Sequence, residues 1–167
     1  MGKQSPRHGK ADLKSKIDHA LTGARVVLPG AQALLGFQFA AMLVEGFEKL
    51  PPASKYLHLI SLVLIALSTI LLMTPAAYHR IGERGEYTEH FLRLTSHCLV
   101  GAMVPLALGI TGDFYVVVKK VCHSGRLALG LAVLMLFFFF GLWFGLTLYH
   151  RRQHERPLAH LTPHRAG

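Results

Sequence analysis

The sequence predicts an all-α membrane protein: four transmembrane helices in one bundle, with both termini cytoplasmic. Three observations carry this. The 167-residue chain is 51% hydrophobic and only 16% charged, with a mean hydropathy of +0.37. Its apolar residues gather in four blocks rather than in the short amphipathic runs of a soluble core. The Lys and Arg residues flank those blocks, and with the termini inside, 13 fall on the inner side against five outside (Lys49, Lys55, Lys119, Lys120 and Arg126). That asymmetry is the positive-inside bias. It accounts for the formal charge of +9 without a nucleic-acid partner. The expected partners are the bilayer, anionic lipid headgroups, further copies of the chain, and a monovalent cation or proton.

Residues 1–24 form a basic cytoplasmic segment whose first ten residues read as disordered, with Asp12 to Thr22 suited to a short interfacial helix. The membrane domain is expected over 25–150 and a polar cytoplasmic tail over 151–167. An Ala31-Gln32-Ala33 triplet has the look of a cleavage site. The apolar run before it, Val26 to Leu28, is far too short for a signal peptide.

Span 1 is expected at about 26–47, since 19 residues between Arg25 and Glu45 carry no Lys, Arg, Asp or Glu. Pro29 falls in its first turn, where a missing N–H costs least. At 100° per residue, Gln32, Gly36 and Ala40 form one small-residue ridge, while Gln38 and Glu45 share another face. Unpaired amides and carboxyls are expensive in hydrocarbon, so these polar groups should face protein or water. Span 1 is therefore expected to be the helix around which the others pack.

Span 2, at about 56–78, has His58 near its start and Pro75 in its last turn, before Tyr78-His79-Arg80. A charged connection containing Gly82 and Gly85 follows. Span 3, at about 91–115, carries Arg93, His97, Gly101, Pro105, Gly109 and Asp113 at steps of four, along one i±4 ridge. Lys119, Lys120, His123 and Arg126 form the next loop. Span 4, at about 127–149, includes Gly141-xxx-Gly145, a small-xxx-small motif expected to mediate oligomer contacts. Cys98 and Cys122 are 24 residues apart, about 36 Å along a helix, too far to bridge within one chain.

In this topology Glu45, His58 and Asp113 lie near the outer ends of three spans, and Arg25, His79, Arg93 and His97 near the inner ends, with Gln32 and Gln38 between. The pattern suits a cation or proton path: an acid to collect the ion, amides to line the route, and His79 and His97 to relay protons. It equally suits interfacial anchoring and interhelical bonding. Haem between paired histidines (His58 and His123 outside; His79, His97 and His150 inside) is a lesser alternative, as is a metal held by His150 and His154 or by Glu45, His58 and Asp113. No cofactor or metal is expected. There is no P-loop, GxSxG, Rossmann glycine pattern or embedded acid pair, so an enzyme is not expected either.

The run Arg25-Val26-Val27-Leu28-Pro29-Gly30-Ala31-Gln32, with Phe37 following, resembles the opening of an uncharacterised bacterial family of small four-span membrane proteins. Thr74-Pro75-Ala76-Ala77-Tyr78-His79-Arg80 is similar to that family's second signature, and the likeness covers about residues 20–150. Members are classed as a domain of unknown function, and many carry the automatic label sodium:proton antiporter. The resemblance implies a place in the bacterial cytoplasmic (inner) membrane. It marks Arg25, Pro29, Gly30, Gln32, Pro75, His79 and Arg80 as a cytoplasmic-face motif that would meet through an anion, a lipid headgroup or a partner. Two functions are thus expected: cation- or proton-linked transport by an oligomer, or a non-catalytic scaffold that binds lipid or a partner.

Overall fold

The computed structural model of the chain describes residues 6–81 and 88–145. Within them the protein is a helical bundle, and four of its helices are long and apolar enough to cross a membrane: Leu13–Met42, Pro52–Tyr78, Glu89–Cys122 and Gly125–Trp143. The expected end of span 4 at 149, the polar tail and His150 and His154 lie outside the described residues.

Helix α1 runs unbroken from Pro6 to Met42. The expected break between an interfacial helix and span 1 is not there. Lys, Leu and Ala in the basic segment are strong helix formers, and no Gly-Pro or Pro-Gly pair interrupts them before Arg25. Pro29 therefore sits in the helix interior rather than in the first turn, and the Arg25 carbonyl has no i+4 amide to accept. The helix also stops earlier than 47. The N–H groups of Leu43 and Val44 turn back onto the carbonyls of Ala40 and Ala41 at 3.1 and 3.4 Å. Val44 is extended, and a single turn, α2 (Glu45–Glu48), follows.

Helix α3 (Pro52–Ile81) starts on a proline, which has no N–H to leave unsatisfied. Helix α4 (Glu89–Cys122) is capped by Thr88, whose hydroxyl accepts from the Phe91 N–H at 3.1 Å. Lys119 and Lys120 belong to its last turn, not to a loop. The turn to α5 is only His123 and Ser124, with His123 left-handed at φ 53° as the C-cap. Helix α5 (Gly125–Phe140) continues into a π-helical turn, Gly141–Gly145.

The centre of the bundle is the α3–α4 pair, and α4 alone contacts α1, α3 and α5 substantially. Of the apolar stretches of α3 and α4, 33% is buried, against 11% for α1 and α5. The hub is thus α4 rather than span 1. Gly109 explains how α3 comes so close: a Cβ there would lie 2.6 Å from Ile65 Cγ1 and 2.9 Å from the Ser61 carbonyl. Ile65, Leu72, Ala102, Leu106 and Ala31 of α1 form the apolar centre. The Ser68 hydroxyl donates to the Ala102 carbonyl across the interface at 2.8 Å.

Candidate functional site

Among the described residues a polar cluster lies within the bundle, and it joins His58 and Asp113, which the sequence places at the same end of spans 2 and 3, with Gln38 of span 1. Asp113 of α4, His58 of α3 and Gln38 of α1 converge near the end of the bundle closed by α2. His58 Nδ1 is 2.8 Å from Asp113 Oδ1, and His58 Nε2 is 3.2 Å from the Gln38 backbone carbonyl. The Gln38 side-chain amide donates to Asp113 Oδ2. His58 and Gln38 are buried, at 6% and 5% exposure, and Asp113 is half-buried.

Each position follows from local structure. Gln38 is brought inward by the uninterrupted turn of α1. The early stop at Met42 then folds α2 over the cluster, so that the Phe47 ring meets the His58 ring edge-on with centroids 5.3 Å apart. Asp113 reaches α3 because Gly112 and Gly109 remove the side chains between the two helices: a Cβ on Gly112 would lie 2.2 Å from Ser61 Oγ. Within the cluster, the buried Gln38 Oε1 has no hydrogen-bond partner. It is a group that a water or a ligand could satisfy.

The proton arithmetic is constrained. A carboxylate oxygen and a backbone carbonyl are both acceptors, so the two His58 contacts are both hydrogen bonds only when the pair holds two protons among Nδ1, Nε2 and the carboxyl. In that arrangement the imidazolium–carboxylate and neutral imidazole–carboxylic acid states differ by one transfer across 2.8 Å.

The cluster opens into a cavity of about 400 Å³. Its walls are otherwise apolar, with Leu34, Phe37, Phe47 and Val116 among them, and Lys120 stands at its edge.

The other expected site residues fall elsewhere. Glu45 is exposed on α2 and makes no contact with the cluster, because the turn at Leu43-Val44 destroys the register that put it on the Gln38 face. Gln32, Gly36 and Ala40 are exposed. The row in α4 is not one face: Arg93, His97 and Gly101 are exposed, whereas Pro105 and Gly109 are buried. Steps of four advance about 40° each at 3.6 residues per turn, so the row winds halfway round the helix. His97 Nδ1 lies 2.7 Å from the Arg93 carbonyl, within its own helix. Of the motif from the resemblance, Arg25, Pro29, Gly30 and Arg80 are exposed, Pro75 is buried, and the His79 side chain lies outside the described residues. Gly141 and Gly145 face open space. Among the described residues no three His, Cys, Asp or Glu side chains assemble as a metal site, Glu45–His58–Asp113 included. The sequence placed His58 at the same end as Asp113, as a candidate metal ligand with Glu45 or a haem ligand; its contact with Asp113 and Gln38 instead follows from the helix rotations.

The fold and cluster define a class: a small helical bundle of membrane-spanning length with a carboxylate–imidazole–amide cluster inside it. Within that class the chain belongs to DUF6328, a family of unknown function, whose sequence profile matches residues 10–147. The family description assigns no activity. No match to this chain was found among curated proteins or among solved structures.

Proposed function

We propose that this is a multi-pass protein of the bacterial cytoplasmic membrane, with the chain ends on the cytoplasmic side, in which Asp113 and His58 form a proton-holding site for cation- or proton-linked transport. The observation that carries this is the 2.8 Å Asp113–His58 contact inside an apolar bundle and beside an open cavity. Ionisable side chains at membrane depth are expensive, and a paired one lining a cavity is a functional site by default. Gln38 holds the carboxylate in place and offers Oε1 to an incoming group. Four helices enclose no complete path by themselves, so transport requires an oligomer, for which the open Gly141 and Gly145 face is available.

The rival reading is a non-catalytic scaffold or partner-binding module. It is favoured by the fact that the three side chains direct their hydrogen bonds at one another and tie together α1, α3 and α4. Ion flux separates the two. In proteoliposomes with a lumenal pH dye and imposed Na⁺, K⁺ or pH gradients, wild type should move protons, Asp113→Asn and His58→Gln should abolish the flux, and Glu45→Gln should leave it intact. Flux that survives Asp113→Asn, or silence from folded and oriented wild type, overturns the transport reading.

A further inference from the structure

Beside the cluster's cavity lies a second one of about 390 Å³, and the two share Leu50, Val116 and Lys120. Their characters are opposite. The first is walled mainly by Leu, Phe and Val side chains, with the Asp113–His58–Gln38 cluster on one side, whereas the second is ringed by Lys49, Lys119, Lys120 and His123, with no acidic residue among its walls. None of the three lysines forms an ion pair with a described carboxylate. Lys120 Nζ donates to the Gly46 carbonyl at 3.0 Å. Lys119 lies over the Tyr115 ring, 5.6 Å from its centre. Both ammoniums are thus fixed by a carbonyl or a ring rather than neutralised by an anion.

An apolar trough that runs into an unneutralised cationic chamber has the polarity of an amphiphile with an anionic head. We propose that the paired cavities bind an acyl lipid with a phosphate headgroup, its chain beside Leu34, Phe37 and Phe47 and its phosphate among Lys49, Lys119 and Lys120. The depth agrees. From Asp113 to Lys120 is seven residues, about 10 Å along α4, so the lysines stand at headgroup level while the trough lies at acyl level. Cationic side chains at that level attract anionic lipid. This places a lipid site at the end of the bundle opposite Arg25 and Arg80. It rests on the lysine chamber and the trough, and it holds whether or not Asp113 and His58 move a proton.

The test is lipid retention by the full chain in detergent, read by native mass spectrometry. The probes are lysophosphatidic acid, lysophosphatidylcholine with the same chain, and glycerol phosphate alone. The expected result is that lysophosphatidic acid is retained at least about tenfold more tightly than the choline lipid, and glycerol phosphate not at all. Lys119→Gln/Lys120→Gln should remove that preference, and Ala41→Trp, which fills the trough, should weaken both lipids. Circular dichroism confirms that each variant is folded. Equal retention of the two lipids, or a preference that survives the double lysine variant, overturns the proposal. Glycerol phosphate binding as well as the lipid also overturns it, in favour of a soluble-anion site.

Discussion

His58 is the residue whose environment is most restrictive. One nitrogen faces a carboxylate and the other a backbone carbonyl, so substitutions at the pair should be unequal. His58→Leu leaves the Asp113 carboxyl without its principal partner and should destabilise by about 3–5 kcal/mol, the usual consequence of breaking a buried pair. Gln38→Leu removes one donor to the same carboxylate and should cost about 1–3 kcal/mol. Denaturant unfolding in detergent measures both, and equal losses would refute the ordering. Gln38 and Asp113 were legible in the sequence because an amide and an acid inside apolar spans demand partners. Glu45 shared that logic and did not join them. Nothing between Met42 and Glu45 marks a helix stop by the usual Gly or Pro, so the rotation that carries Glu45 outward was not written in local chemistry.

At the scale of the helix, close approach governs α4. Gly109→Ala would set a Cβ against Ile65 and the Ser61 carbonyl and should cost about 1–3 kcal/mol as overpacking. Gly101→Ala meets nothing within 4 Å and should be neutral or stabilise by about 0.5–1 kcal/mol. Thermal unfolding of the two variants side by side checks the contrast. Pro29 is another such case: interior proline lies about 3 kcal/mol below alanine in helix propensity, so Pro29→Ala should raise the melting temperature. The four long apolar helices were readable from hydropathy alone. Their ends were less so, because Lys119 and Lys120 signal a loop by charge yet sit well at a helix C-terminus, where cations favour the negative end of the dipole.

For the molecule as a whole, the sequence conveyed how many long apolar helices there are but not which of them is central. Span 1 holds two amides in its apolar run, and polarity was a fair guide to burial for Gln38 and a poor one for Gln32. The hub role of α4 comes instead from Gly109, Gly112 and small neighbours such as Ala102, which matter through shape rather than charge. Orientation can be read from a native thiol. Cys122 is exposed at the end of α4 and Cys98 is buried, so a membrane-impermeant maleimide should label Cys122 alone in intact spheroplasts. Labelling only after lysis would place that end of the bundle in the cytoplasm.

The unbroken α1 makes the bundle a lever as well as a scaffold. From Lys14 to Gln38 there are 24 residues of continuous helix, about 36 Å, with one backbone hydrogen bond missing at Pro29. A pull on the basic arm, from a membrane surface or another protein, should turn Gln38 and alter how its amide meets Asp113. Glycines in place of Val26 and Val27 should slacken that shaft, and spin labels at its two ends would then report broader distances. A grip at one end of the bundle would thereby change the hydrogen bonding of a carboxyl near the other.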